Sequence, residues 1–152
     1  MSIAARIAEL GIELPEPAKA VANYVPYVQT GNLLHISGQL SNDASGGLKG
    51  TVGVDVTPEQ AAAGARLCGI NLLAQIKDAL GGDLDRVVRV VKLGGFVQAG
   101  PDFVAIPAVI NGCSDLMVEV FGDAGRHARS AVGVYKLPLG FAVEVDAIVE
   151  VK

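Results

Sequence analysis

The sequence predicts an α+β two-layer sandwich, in which a mixed β-sheet carries two main helices on one of its faces. Three observations predict this fold class. A strongly capped amphipathic helix begins after Thr57, Val-rich runs occupy residues 87–97 and 142–151, and the core elements follow the order β-β-α-β-α-β-β. We expect one domain over residues 1–152, of which residues 1–17 form an N-terminal helix and a connector.

The N-terminal helix is the first element in chain order. Ile3, Ile7 and Leu10 recur at helical spacing after Ser2, which is a suitable cap. Gly11 follows the last of these apolar residues, so the helix is expected to end there.

A β-hairpin comes next. Residues 24–28 and the apolar run at 33–37 are typical of strands, and Thr30-Gly31-Asn32 lies between them as a turn. The segment from 42 to 50 is rich in Ser, Gly and Asp and lacks periodicity, so we predict a loop.

The clearest helix begins after Thr57. Thr57 is the expected cap, Pro58 suits the first helical position, and Gln60 completes a capping box. Gly81-Gly82 ends the helix. The apolar stripe of this helix comprises Ala61, Ala65, Cys68, Leu72, Ile76 and Leu80.

The second half of the chain adds three strands and one helix. We predict a long strand at 87–97 with a bulge at Leu93–Phe96, a helix from about Ile106 to Phe121, and strands at Ala131–Tyr135 and Ala142–Val151. Both helices are expected to cover one face of the sheet. The other face is expected to stay apolar and open. The chain as a whole is 51% apolar and only 18% charged. This composition, together with the uncovered apolar face, predicts a homo-oligomer.

Charge and composition exclude several classes of function. The formal net charge is −4 and the basic residues form no dense run, so we expect no nucleic-acid partner. No basic segment followed by a long apolar run opens the chain, and residues 21–42 are too polar to span a bilayer. We therefore expect a soluble, cytoplasmic protein. Cys68 and Cys113 are predicted to be buried thiols, and the Cys and His residues form no recognisable metal site.

The candidate functional residues lie in the last quarter of the chain. Arg126 and Arg129 precede a predicted strand, and Glu144 lies in the next one. A guanidinium can hold a substrate carboxylate with two hydrogen bonds, and a carboxylate can move a proton, which is the equipment of a hydrolase for small acids. A simpler interpretation remains open. The two arginines could be solvated loop charges, and Glu144, Asp146 and Glu150 could form an exposed polar face.

Other polar residues are less specific. His127 lies between the arginines and could be a second acid–base group, but a non-catalytic position explains it better, so we do not place it among the catalytic residues. His35 lies in an apolar strand and is expected in the core or an interface. Ser37 lacks the G-x-S-x-G surroundings of a nucleophile elbow, so we do not predict that it is a nucleophile.

Five motifs in register resemble the YjgF-like family of reactive intermediate deaminases. The similarity covers residues 18–152, with one helix between the second and third motifs and another before the arginine. The motifs are Pro26-Tyr27-Val28-Gln29, Ile36-Ser37-Gly38-Gln39, Ala128-Arg129-Ser130, Leu137-Pro138 and Val143-Glu144-Val145-Asp146-Ala147-Ile148.

This resemblance implies a chorismate-mutase-like fold and a homotrimer with ligand clefts between its subunits. It implies hydrolysis of 2-imino acids or their enamine tautomers to 2-keto acids and ammonia, without a metal or an organic cofactor. Arg129 matches the residue that binds the carboxylate of this small metabolite, and Glu144 matches the cleft glutamate. Tyr27, Ser37 and Gly38 match positions that line the cleft, and Tyr27 could also be a contact between subunits.

The chain departs from the deaminases in two ways. Ala131 occupies a position that is often Cys in that branch, and the N-terminal helix makes the chain longer. It thus looks like a longer YjgF-like branch that often carries an endoribonuclease label. Two alternatives follow, namely a module of the same fold that binds small carboxylates without turnover, and an endoribonuclease.

Overall fold

The computed structural model describes residues 1–152 as a five-stranded sheet with three α-helices. The strands are β1 (Tyr27–Thr30), β2 (Leu33–Leu40), β3 (Val87–Gln98), β4 (Ala128–Val134) and β5 (Val143–Val151), and the helices are α1 (Ile3–Glu9), α2 (Pro58–Ala79) and α3 (Ile106–Phe121). Short 3-10 turns lie at Leu84–Arg86, Gly122–Gly125 and Pro138–Gly140. The strand order is β1-β2-β5-β3-β4, in which only β3 and β4 are parallel.

Helices α2 and α3 cover one face of the sheet, which confirms the predicted fold class. Helix α2 packs on β2 and β5, and α3 packs on β3 and β4. The predicted start of α2 is confirmed by its capping box, because Gln60 N–H donates to Thr57 Oγ1 over 3.1 Å and Thr57 N–H donates to Gln60 Oε1 over 2.9 Å. All six residues of the predicted apolar stripe, which include Cys68, are buried. Cys113, the other predicted buried thiol, is buried as well.

The bulge predicted in β3 is in the wrong place. Residues Leu93–Phe96 pair without interruption with both neighbouring strands. The two glycines there instead allow neighbouring side chains to approach the backbone of β3. A Cβ on Gly94 would overlap the Asp146 carboxylate, and a Cβ on Gly95 would lie 2.6 Å from Ile110 Cγ1. The bulge that matters for the site lies in β2.

Two strands begin three residues away from their predicted starts. Strand β1 begins at Tyr27 instead of residue 24, because Pro26 has no N–H to donate to a ladder. Strand β4 begins at Ala128 instead of Ala131, because its parallel pairing already starts at the contact of Ala128 with Lys92. As a result, Arg129 lies inside the strand and not before it.

The face of the sheet without helices is mixed in character. It presents apolar side chains such as Phe96 and Ile148 together with the carboxylates of Glu144 and Asp146, and therefore is less apolar than we expected. His35 lies opposite Ile148 and is exposed in the single chain, so of its two predicted locations the core is wrong and an interface stays a prediction. We call this surface the open face. None of the helices is long and apolar enough to cross a membrane.

Candidate functional site

Arg129 projects from the helix-covered side of the edge strand β4. Its strand position is level with the buried Leu93, and its side chain reaches the flank of α3. There Nη1 donates hydrogen bonds to Asn111 Oδ1 over 2.8 Å and to Ser114 Oγ over 3.2 Å. We call the surrounding cavity, of about 340 Å³, the Arg129 pocket; its lining residues are Asn111, Ser114, Asp115, Val118, Arg126, His127 and Arg129.

Only one nitrogen of the Arg129 guanidinium is held by the protein. Its other N–H groups have no hydrogen-bond partner in the chain, so they can bind a carboxylate bidentately. Arg126 differs, because its Nε lies 3.3 Å from Asp123 Oδ1 in an ion pair whose two side chains are 70% and 100% exposed. That pair matches the surface-charge interpretation of Arg126, and a pair so exposed contributes little to stability.

A serine and a histidine complete the Arg129 pocket. Ser114 Oγ lies 2.9 Å from His127 Nε2, and His127 Nδ1 lies 2.6 Å from the carbonyl oxygen of Gly125. His127 was considered from the sequence but not placed among the catalytic residues, and Asn111 and Ser114 were not predicted at all. Asn111 and Ser114 are three residues apart, which places them on the same flank of α3. The sequence does not show that this flank lies beside β4, so it could not connect them with Arg129.

Glu144 lies on the open face of β5, and its carboxyl group reaches Gly38 of the neighbouring strand β2. A Cβ on Gly38 would lie 2.8 Å from the carboxyl carbon of Glu144, so a larger residue there would force this side chain to move. Glu144 is half-buried, and this burial raises its pKa; the charge of Asp146 raises it further. A raised pKa makes the carboxylate a stronger base, which favours a role in proton transfer.

Asp146 is the second carboxylate of the open face. Burial raises its pKa, although a hydrogen bond from the backbone of Gly94 and the charge of Lys92 act in the opposite direction. The bulge in β2 places Ser37 and Gly38 opposite Asp146, because the register with β5 shifts between Ile36 and Gln39. Ser37 and Gly38 thus lie opposite Asp146, and Gly38 also lies against the Glu144 side chain.

A groove of about 460 Å³ runs from this bulge to the N-terminal connector. Ser37 and Gly38 line it, and the Ser37 hydroxyl donates to the carbonyl oxygen of Val25 over 2.8 Å. Beneath the groove, the buried Gln75 Nε2 donates to the carbonyl oxygen of Ala18 over 2.7 Å and to Gln39 Oε1 over 3.4 Å. These buried amides, which the sequence analysis did not select, fix the connector against the bulge.

Tyr27 does not line this groove within one chain. Its hydroxyl donates to Asp78 Oδ2 over 2.7 Å, and this hydrogen bond raises its pKa. Tyr27 pairs with the buried Ile36 on the helix-covered side of the edge strand β1. A role in a cleft therefore requires a contribution from a second subunit.

Arg129 and Glu144 also lie on opposite sides of the sheet. Arg129 is level with Leu93 on the helix-covered side, whereas Glu144 is level with Phe96 on the open face. Strand β3 separates the two residues. One chain therefore cannot present both side chains to the same small molecule.

Comparison with known proteins agrees with this architecture. A family model described as "YjgF/chorismate mutase-like, putative endoribonuclease" matches residues 4–150. Protein TCP17 of Trypanosoma cruzi is 51% identical over 150 residues, which are 97% of this chain and 93% of that protein.

Two crystal structures are similar over almost the whole chain. Protein Atu1372 of Agrobacterium tumefaciens has a TM-score of 0.92 at 49% identity, with 99% of this chain and 92% of that one covered. A "putative endoribonuclease" from Shewanella oneidensis MR-1 has a TM-score of 0.95 at 34% identity, with 99% and 100% covered. From its motifs, its fold and these matches, the chain belongs to the YjgF/chorismate-mutase-like family.

Proposed function

We propose that the protein hydrolyses small 2-imino acids, or their enamine tautomers, to 2-keto acids and ammonia. The observation that carries the proposal is the state of Arg129. One Nη of its guanidinium is fixed by Asn111 and Ser114, while the remaining donors face an open pocket without a partner. A fork held in this way loses little conformational freedom when it binds a carboxylate.

The proposed site is composite and needs two protomers. Arg129 comes from the edge strand of one chain, and Glu144, with Ser37 and Gly38 beside it, comes from the open face of a neighbour. The separation of Arg129 and Glu144 by the sheet supports this arrangement, and a homotrimer is the assembly that the family resemblance implies. The mixed open face is the surface that an assembly of this kind would cover.

The chemistry requires a bound acid, a water molecule and a group that moves protons. Arg129 holds the carboxylate, and protonation of the imine nitrogen makes the adjacent carbon electrophilic. Glu144 accepts a proton from the attacking water, so that a carbinolamine forms. The nitrogen takes up a proton and leaves as ammonia while the hydroxyl loses its proton to give the keto group. General acid–base catalysis of this kind contributes roughly 10²–10⁴-fold.

Imino acids generated in place by an amino-acid oxidase provide the test. The wild-type protein is expected to remove the imine before semicarbazide traps it, because hydrolysis competes with trapping. Glu144→Gln is expected to lower kcat/KM by about 10²-fold, the size of a lost acid–base contribution. Arg129→Lys keeps the charge but loses the bidentate fork, and should raise KM. Arg126→Lys is the matched control on the exposed ion pair and should retain wild-type rates.

A binding module without turnover is the second candidate. Ala131 stands where the deaminases often carry Cys, and the separation of Arg129 from Glu144 leaves each chain with the clamp alone. If the wild-type protein does not accelerate loss of the imine while 2-keto acids raise its melting temperature through Arg129, this candidate replaces the enzyme.

An endoribonuclease has less support in this chain. The net charge of −4 and the carboxylates of the open face would repel a phosphate backbone. RNA cleavage that persists through purification and vanishes in Arg129→Ala would restore that assignment.

A further inference from the structure

The hydroxyl of Ser114 lies between a base and a cation. His127 Nε2 is 2.9 Å from Ser114 Oγ on one side, and Arg129 Nη1 is 3.2 Å from it on the other. The proposed imine hydrolysis uses Ser114 only to hold Arg129 and gives His127 no task. Both residues line the open Arg129 pocket, so the hydroxyl is accessible to a small molecule.

The direction of each hydrogen bond follows from the chemistry of the groups. A guanidinium can only donate, so Ser114 Oγ accepts from Arg129. A carbonyl oxygen can only accept, so Nδ1 of His127 carries a hydrogen and donates it to Gly125 over 2.6 Å. In the neutral imidazole Nε2 is then an acceptor, and it receives the hydrogen of the Ser114 hydroxyl.

This order of bonds is the one that activates a serine. The carbonyl of Gly125 orients the imidazole and selects its tautomer, as the third member of a catalytic triad does. His127 is placed to take the hydroxyl proton, and the positive charge of Arg129 stabilises the negative charge that develops on Ser114 Oγ.

We propose that Ser114 is a nucleophile with His127 as its general base, and that the pocket hydrolyses small esters carrying an anionic group. The anionic group is specified by Arg129, whose remaining N–H donors have no partner in the chain and face the pocket. This activity is separate from imine hydrolysis, because it uses a covalent intermediate and does not need Glu144.

Each step conserves atoms and charge. Ser114 Oγ forms a bond to the ester carbonyl carbon while its proton passes to His127 Nε2. The bond from that carbon to the alkoxy oxygen then breaks, and the leaving alcohol takes the proton from His127. Water repeats the sequence on the acyl-serine, which releases the carboxylic acid and restores the hydroxyl of Ser114.

Diisopropyl fluorophosphate tests the nucleophile directly. Ser114 Oγ displaces fluoride from phosphorus, so the chain is expected to gain one diisopropylphosphoryl group, located on Ser114 by peptide mass spectrometry. Ser114→Ala should not be labelled, whereas Ser130→Ala, which alters an exposed serine of β4, should be labelled at the wild-type rate. An adduct elsewhere, or no adduct on folded wild-type protein, overturns the proposal.

A second experiment tests whether His127 acts as a general base or only supports the structure. His127→Ala is expected to lower the labelling rate by about 10²-fold, and added imidazole should restore much of it by occupying the vacated space. Unfolding is checked by melting temperature, and labelling of the folded variant at the wild-type rate would refute the role of His127. Among substrates, 4-nitrophenyl hydrogen adipate, whose carboxylate is too far from the ester for ready intramolecular attack, should be hydrolysed about tenfold faster than uncharged 4-nitrophenyl hexanoate once each spontaneous rate is subtracted, the effect of roughly one favourable charge interaction; equal rates would refute the anionic class.

Discussion

At the scale of single residues, the open face carries two carboxyl groups whose ionised forms are disfavoured by burial. Gly38 makes room for Glu144, and the Gly94 position makes room for Asp146. Burial raises the pKa of both carboxyl groups, and for Glu144 the charge of Asp146 adds to it. Such strain is typical of groups that a site uses for proton transfer.

The raised pKa values predict how stability depends on pH. The native state holds these two protons more tightly than the unfolded chain does, so this contribution is present below the ordinary carboxyl pKa and is lost as pH rises through the raised values. Asp146→Asn should therefore stabilise the protein at neutral pH by about 0.5 kcal/mol. Thermal unfolding of the variant and the wild type between pH 4 and 8 measures it.

Glu150→Gln is the matched control for this prediction, because it removes one negative charge from the same face of β5. The gain from Asp146→Asn should disappear as the pH falls below the ordinary carboxyl range. A gain that is equal at every pH would show that packing, and not ionisation, separates the variant from the wild type.

At the scale of elements, the contact between α2 and α3 positions the Arg129 pocket. A Cβ on Gly112 would overlap the carbonyl oxygen of Ala62, so the two helices approach backbone to backbone at this point. Gly112 follows Asn111 and lies two residues before Ser114, both of which hold Arg129. The same contact therefore fixes the helix layer and the orientation of the guanidinium.

Gly112→Ala is expected to push α3 away from α2. Overpacking of this kind destabilises by about 2 kcal/mol, which corresponds to a fall of about 5 °C in melting temperature for a chain of this length. Because α3 also carries Asn111 and Ser114, binding of small carboxylates should weaken in the folded variant. Asp115→Ala, an exposed substitution on the same helix, should change the melting temperature little. Wild-type stability of Gly112→Ala would contradict the close contact.

At the scale of the whole molecule, the sheet determines whether one chain can bring Arg129 and Glu144 into the same site. Arg129 and Tyr27 project from the helix-covered sides of the two edge strands, and Glu144 projects from the open face of a central strand. Assembly would bring an edge strand of one protomer to the open face of the next. The catalytic proposal therefore depends on the oligomer.

Subunit complementation tests this dependence. Arg129→Ala and Glu144→Gln are each expected to keep about a hundredth or less of the wild-type activity towards imino acids, but a mixture that is unfolded and reassembled should regain activity. In a randomly assembled ring, about a quarter of the sites receive both native residues. No recovery in mixed oligomers, verified by mass, would place the site within one chain and refute the composite arrangement.

Much of the fold followed from local chemistry. The capping box after Thr57, the apolar period of α2 and the alternation in β5 are short-range signals, and the structure confirms each of them. The wrong bulge in β3 and the exposed position of His35 have a common cause. Both depend on which element lies opposite, and a strand does not encode its partner locally.

The sequence by itself determined the elements, the helix-covered layer and the identity of Arg129 and Glu144 as candidates, because periodicity, caps and residue chemistry are local properties. The tertiary structure alone decided that these two residues occupy opposite sides of the sheet, and that Asn111, Ser114 and His127 gather around Arg129. The physical reason is the strand order, since the parallel pairing of β3 with β4 brings the edge strand beside α3, and no short stretch of sequence specifies that pairing.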